Sequence, residues 1–166
     1  LEGAYFVTIG TFHHLSLFGE IEDGAVQLNP NGNIATDQWV RLSSRFYPSD
    51  FSIFVIMPNH VHGIIHIVGG AGKEFETAPS GVPPQRPYRH SHYMPSSLGI
   101  IVRAYKSAFA YRINAMRGSA QPPIWQRNYY EHIIRNENEY EQIMDYIESN
   151  PATWIDNRFY ATQILK

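Results

Sequence analysis

The residues best equipped for chemistry are two histidines one position apart, in the run Phe54-Val-Ile-Met-Pro-Asn-His60-Val61-His62-Gly-Ile-Ile. On a strand, side chains alternate, so His60 and His62 point to one face while Val61 points into the core. Two imidazoles at adjacent same-face positions form a ready pair of metal ligands. The spacing alone is weak, because eight histidines in 166 residues give roughly 0.4 His-x-His pairs by chance. The chain has its own control in His90-Ser91-His92, which sits in a proline-rich stretch where nothing fixes the geometry; that pair reads as incidental. Tyr146 and Asn150 are the next candidates, four residues apart and therefore on one face of a helix. Taken singly, both read as structural. Tyr146 lies beside an expected core stripe of Tyr140, Ile143, Met144 and Ile147, and an Asn before a Pro is ordinarily a C-terminal cap.

Hydrophobic periodicity supplies the elements that must position these residues. Tyr5–Phe12 is β-branched and aromatic and predicts a strand. Glu20–Gly32 is turn-rich and has room for a short hairpin. Apolar spacing from Ile34 to Phe46 predicts a helix that Pro48 stops. Phe51–Met57 and His60–Val68 predict two strands joined by Pro58-Asn59 as a hairpin, although such a turn is not of the primed type. Gly69–Ser97 holds five of the eleven prolines and four of the twelve glycines without periodicity, which predicts a long loop or inserted segment. Leu98 to Ile113 is amphipathic and predicts a helix ending at Gly118. Ile124–Arg135 predicts a fourth strand. Asn136 then caps a last helix, with Glu139 at its third position, that runs to about Asn150 before Pro151. This order is that of an α+β protein: one antiparallel sheet with helices mainly on one face, in a single domain over 1–166.

Composition narrows the classes. Hydrophobic residues make up 43% and aromatics 14%, against 17% charged, which excludes a disordered chain. The absence of cysteine excludes disulfides, thiol nucleophiles and thiolate zinc sites. No apolar run reaches the length of a membrane helix and nothing at the start reads as a signal peptide, so the expected location is cytoplasmic. The chain opens at Leu1 rather than Met, which points to a native start upstream. Net charge is −2 but segregated: residues 85–135 carry eight basic side chains and one acidic one, and the remainder five basic and fourteen acidic. A segregated basic region is the electrostatic footprint of a phosphate-backbone binder, or else a solvated face balanced elsewhere. Arg103, Lys106, Arg112 and Arg127 are the expected phosphate contacts. There is no P-loop, no G-x-G-x-x-G and no acidic cluster of the polymerase kind, so no nucleotide cofactor is expected.

The His60-Val61-His62 run resembles the HUH motif of single-tyrosine transposases. The later run Ile124-Trp-Gln-Arg-Asn-Tyr-Tyr-Glu-His-Ile-Ile-Arg135-Asn, followed by Asp145-Tyr146-Ile-Glu-Ser-Asn150-Pro151, resembles the REP-associated tyrosine transposase branch. The resemblance spans nearly the whole chain, from the Tyr5 strand to Trp154. It implies a ferredoxin-like α+β fold whose C-terminal helix carries the catalytic tyrosine. It implies that His60, His62 and Asn150 hold one divalent metal ion, Mg²⁺ or Mn²⁺, and that Tyr146 attacks DNA. It further implies single-stranded or hairpin DNA as partner, a covalent 5′-phosphotyrosine and a free 3′ hydroxyl. A homodimer is an assembly that related enzymes use, with the tyrosine helix of one subunit in the site of the other.

The chemistry is coherent without the family. A phosphodiester is a poor electrophile, and a metal on two imidazoles and an amide oxygen can polarise its non-bridging oxygen. Mixed nitrogen and oxygen ligation suits Mn²⁺ more naturally than Mg²⁺. A tyrosine with a pKa of about 10 is only about one part in a thousand phenolate at pH 7, so it requires activation. His66, two further positions along the same face, reads as a support for the metal ligands or a sheet-surface residue, and Glu131 and His132 on the fourth strand are candidates for orienting a ligand or contacting DNA. Tyr129, Tyr130 and Tyr140 are rival nucleophiles without the Tyr-x-x-x-Asn turn. Two other readings share the scaffold: a non-catalytic DNA-hairpin or RNA-binding module, and a small metal-dependent hydrolase in which Tyr146 is idle.

Overall fold

Runs of β-branched and aromatic residues form the strands of the chain, and Asn and Ser at their borders start the helices. In the computed structural model, which describes residues 3–68 and 97–154, the order is β1 (Gly3–Gly10), β2 (Gly19–Glu22), β3 (Ala25–Leu28), α1 (Pro30–Val40), α2 (Leu42–Arg45), β4 (Phe54–Met57), β5 (His60–Ile67), α3 (Leu98–Arg117), β6 (Tyr130–Ile134) and α4 (Glu137–Ser149). The stretch 69–96, with the His90/His92 pair, lies outside the described residues. No helix among the described residues is long and apolar enough to cross a membrane.

The main sheet is antiparallel with strand order β4-β5-β1-β6, and β2-β3 is a separate hairpin. Leaving that hairpin aside, the order is the ferredoxin-like βαββαβ arrangement, with the central strands β5 and β1 separated in sequence by a crossover. Alternation divides the sheet cleanly. Tyr5, Val7 and Ile9 of β1 and Val61, Ile65 and Ile67 of β5 pack with Trp39 of α1 and Ile101, Tyr105 and Phe109 of α3. Phe6 and Ile64 face the other way, toward Ile143, Tyr146 and Ile147 of α4. Thus α1 and α3 cover one face, and α4 crosses the other. Because both faces are covered, β5 is buried almost throughout, like a strand of a two-sided sheet.

Two element boundaries that differ from the sequence expectation have clear physical causes. The first helix begins at Pro30 rather than Ile34, because Asn29 accepts from the Gly32 amide as an N-cap and Pro30 occupies the first turn. The fourth strand is shorter than Ile124–Arg135. Only Tyr130–Ile134 pairs with β1, while Trp125 bridges Thr11 and its segment turns across the end of the sheet. The Pro58-Asn59 turn joins β4 and β5 although it is not primed. Its carbonyls are tied down from outside, by Phe18 N–H on Pro58 and by both Thr11 N–H and Thr11 Oγ1 on Asn59.

Close packing at Gly63 decides how α1 meets the strand pair. A methyl group there would run into the Trp39 ring, which is fully buried and donates its indole N–H to Phe51 O at 2.9 Å.

Candidate active site

His60 and His62 open β5 directly after the Pro58-Asn59 turn, and both side chains stand on the face covered by α4. They are 6% and 4% exposed, so neither can be charged cheaply without a partner. Burial first, and the nearby His14 second, push His60 down to about 3. His62 is held well below the ordinary histidine range by burial and by His60, with a backbone hydrogen bond to Val7 opposing. Both imidazoles are therefore neutral at physiological pH, the state in which histidine binds metal.

Their outer nitrogens are held in place. His60 Nδ1 lies 2.7 Å from Asn59 Oδ1, an oxygen that can only accept, so His60 carries its proton on Nδ1 and presents a lone pair at Nε2. His62 Nδ1 meets Thr8 Oγ1 at 2.9 Å, and Phe6 stacks beneath the ring with centroids 5.4 Å apart. The two Nε2 atoms are 2.9 Å apart. With His62 also protonated on Nδ1, two lone pairs converge. Adjacent ligands at about 2.1 Å and a right angle on an octahedral ion stand about 3 Å apart.

The register of α4 brings the other candidates over this pair. Asn136 caps the helix by accepting from Glu139 N–H at 2.9 Å. Glu139 in turn accepts from Arg135 N–H and from His132 Nε2. Tyr146 then reaches Phe6 and His62, with centroids 6.1 and 5.3 Å away, and its hydroxyl lies 3.5 Å from His62 Nε2. Two turns on, Trp154 stacks on His60 at 5.9 Å. Asn150 lies between the two in sequence, four residues from each, at the C-cap of α4. It is 1% exposed, and neither its Oδ1 nor its Nδ2 has a hydrogen-bond partner among the described residues. A buried orphan amide is costly, and its oxygen is a donor that a divalent cation would satisfy. Among the described residues no three His, Cys, Asp or Glu side chains form a metal cluster, so a third protein ligand at this pair would be an oxygen donor of another kind, and the Asn150 amide is a candidate.

Other candidates have different neighbours. His66 shares the face but hydrogen-bonds Tyr140 Oη at 3.2 Å. His132 is 2.6 Å from Glu139. Both fasten α4 to the sheet rather than supporting the histidine pair. Glu131 points to the opposite face, because alternation along β6 pairs it with Val7, and it hydrogen-bonds Tyr129. The expected support of the ligands by these three is therefore corrected. Asn59 and Thr8 hold the two rings instead; Thr8 is brought to His62 only by the β1–β5 register, which local spacing does not contain. Of the four basic candidates, Arg103, Arg112 and Arg127 are exposed. Lys106 turns its ammonium onto the carbonyls of Gln126 and Asn128 at 2.9 and 3.2 Å, and Arg112 pairs with Asp37 at 2.6 Å. Helix α3, which carries three of the four, packs on the face opposite the histidines.

Neutral burial of the pair sets a pH dependence. For chelator-treated protein, the unfolded chain binds protons below about pH 6.5 that folded His60 refuses until about pH 3. Stability is therefore full above about 6.5 and falls as the pH drops through this window, by up to about 1.4 kcal/mol per pH unit for each histidine. Urea unfolding from pH 7 to 4 should show a smaller fall for His60→Gln than for the parent. Equal slopes would contradict a neutral buried imidazole.

No family model matches the chain. An uncharacterized protein of Haemophilus influenzae is 37% identical over 159 residues, covering 96% of this chain and 86% of that protein. Among solved structures, a REP-associated tyrosine transposase bound to a REP hairpin superposes with a TM-score of 0.59 at 19% identity, covering 92% of this chain and 69% of that one.

Proposed function

The chain belongs to the same protein family as its Haemophilus influenzae relative and has the fold of a REP-associated tyrosine transposase, and we propose that it is a metal-dependent single-strand DNA endonuclease and strand transferase. The observation that carries this reading is the meeting of Tyr146 Oη with His62 Nε2 at 3.5 Å, with Asn150 buried and without a hydrogen-bond partner among the described residues four positions further on. A purely structural tyrosine has no need of two neutral, convergent imidazoles beside its hydroxyl.

His60, His62 and Asn150 would hold one divalent ion, Mn²⁺ or Mg²⁺. When bound, the ion supplies Lewis-acid polarisation of a phosphate oxygen and lowers the cost of phenolate beside it. The chain's own residues do the rest. Asn59 and Thr8 orient the imidazoles, and Phe6 and the α4 packing hold the Tyr146 ring in place. Tyr146 Oη attacks phosphorus, the P–O3′ bond breaks, and the product is a 5′-phosphotyrosine with a free 3′ hydroxyl; the covalent bond keeps the phosphodiester's energy for rejoining. The hairpin bound by the REP-associated relative supports folded single-stranded DNA as the substrate form. Incubation with end-labelled hairpin oligonucleotides and Mn²⁺ should give a cut strand and a protease-sensitive protein–DNA adduct. Cutting without an adduct would favour a hydrolase, and binding without cutting a recognition module.

Exposed Arg103 and Arg127 are the phosphate contacts in this proposal, since Lys106 and Arg112 have partners within the chain. Replacing both by Gln should weaken DNA binding uniformly across sequences and reduce the slope of log K against log salt by about 1.4, or about 0.7 per lost single-strand contact. Fluorescence anisotropy from low to moderate salt measures it, and an unchanged slope would move the binding face elsewhere.

A further inference from the structure

Two of the chain's three tryptophans are core residues with their polar group satisfied. Trp39 donates its indole N–H to Phe51 O at 2.9 Å and packs on the rings of Phe51, Phe54 and Tyr105. Trp125 donates to Lys106 O at 3.1 Å and packs on Phe18, Tyr105 and Phe109. Both belong to the apolar cluster that α1 and α3 form with the sheet. A buried indole ordinarily finds such a partner.

Trp154 differs on each count. Its ring is half-buried and belongs to neither apolar cluster. Among the described residues its indole N–H has no hydrogen-bond partner, and its single ring partner is His60, with centroids 5.9 Å apart and an interplanar angle of 27°. Backbone contacts, not core packing, hold the ring there. Trp154 N–H donates to Pro151 O at 3.4 Å, and Thr153 N–H to Ser149 O at 3.2 Å. Thr153 Oγ1 donates to the Ser149 and Asn150 carbonyls. The tip of the β2–β3 hairpin also meets this turn, since a Cβ at Gly24 would stand 3.5 Å from Ala152 Cα. A large ring fixed outside both clusters, with one face on a candidate metal ligand and a donor unused, is built to receive a flat group.

Because the two rings are nearly parallel, the second face of the indole is turned away from His60, and a flat group laid on it would extend the stack. With His60 and His62 read as metal ligands and single-stranded DNA as substrate, on which this step rests, Trp154 stands one side chain away from the metal that would hold the scissile phosphate. The flat group tethered beside that phosphate is the base of a flanking nucleotide. We infer that Trp154 is the stacking platform for an unpaired base next to the scissile phosphate, with its indole N–H as a donor to that nucleotide. Such a platform holds the strand at the metal without selecting a sequence, because every base has a π face.

The test reads binding, so it does not depend on cleavage. Fluorescence anisotropy is measured on a hairpin oligonucleotide with unpaired flanks, and on versions in which each unpaired nucleotide in turn is made abasic. Trp154→Leu should bind the unmodified hairpin about 10- to 100-fold more weakly than the parent, and Trp154→Phe, which keeps a stacking face, within a few-fold. At one position, next to the bond that the parent cuts, the abasic hairpin should bind Trp154→Leu and the parent alike, because the lost base and the lost ring are one interaction. Mn²⁺ affinity of Trp154→Leu, measured by calorimetry, should stay within a few-fold of the parent, which separates stacking a base from seating His60. An unchanged affinity for the hairpin, an equal loss on every abasic version, coupling only to a nucleotide remote from the cut, or a collapse of Mn²⁺ affinity would each overturn the inference. Coupling at one position in a parent that forms no adduct would instead remove the endonuclease reading and leave a base platform. A parent that binds no hairpin would remove both.

Discussion

Tyr146→Phe should fold, bind DNA as the parent does, and form no covalent adduct. The ring stays in place because its contacts are aromatic, edge-on to Phe6 and against His62, within the cluster that joins α4 to the sheet. Loss of the hydroxyl from a half-buried ring should cost no more than about 1 kcal/mol, measurable by urea unfolding. Adduct formation should fall by at least about three orders of magnitude, since the variant has no atom to attack phosphorus. Phe at Tyr129, Tyr130 or Tyr140 provides matched controls. Tyr140 hydrogen-bonds His66, Tyr129 lies beside Lys106, and Tyr130 packs on Phe6. An adduct that survives Tyr146→Phe, or disappears with a control instead, would remove Tyr146 from the site.

The second large effect concerns the metal ligands. His62→Ala and His60→Ala should each abolish Mn²⁺-dependent cleavage, by more than about 100-fold, because one imidazole and an amide cannot retain a divalent ion. Calorimetric titration with Mn²⁺ reads the same loss without activity. Truncating a buried ring also leaves a cavity, so each variant should lose about 2–4 kcal/mol of stability; Gln at either position keeps more of the volume and separates the two effects. Asn150→Leu discriminates further. It replaces an amide that has no hydrogen-bond partner among the described residues, so the metal-free variant should be more stable than the parent by about 1 kcal/mol while losing Mn²⁺ affinity. Lower metal-free stability would mean that the Asn150 amide is satisfied within the chain and is no ligand in waiting.

Much of this was legible in the sequence because the signals are local. Alternation along His60-Val61-His62 places both imidazoles on one face whatever the strand packs against, and Asn136 with Glu139 announces the start of α4 through its own backbone. Apolar spacing likewise located α3 and its end at Gly118, which takes φ of +66°. The same alternation, followed along β6, would have turned Glu131 away from the pair.

Tertiary structure decided the rest, for the reason that contacts between distant segments have no signature in local spacing. That α4 crosses the face opposite α1 and α3, and so buries the histidines, depends on where the sheet leaves apolar surface uncovered. Burial in turn lowers both imidazoles, an effect no spacing of residues contains. Lys106 has the charge of a phosphate contact and the position of a clamp on the carbonyls around Gln126; composition sees only the first. The seat of Trp154 on His60 requires a helix that crosses this face of the sheet and a turn, braced at Ala152 by the β2–β3 hairpin, that brings the chain back to the start of β5. Each residue is visible in the sequence, and their meeting is made only by the fold.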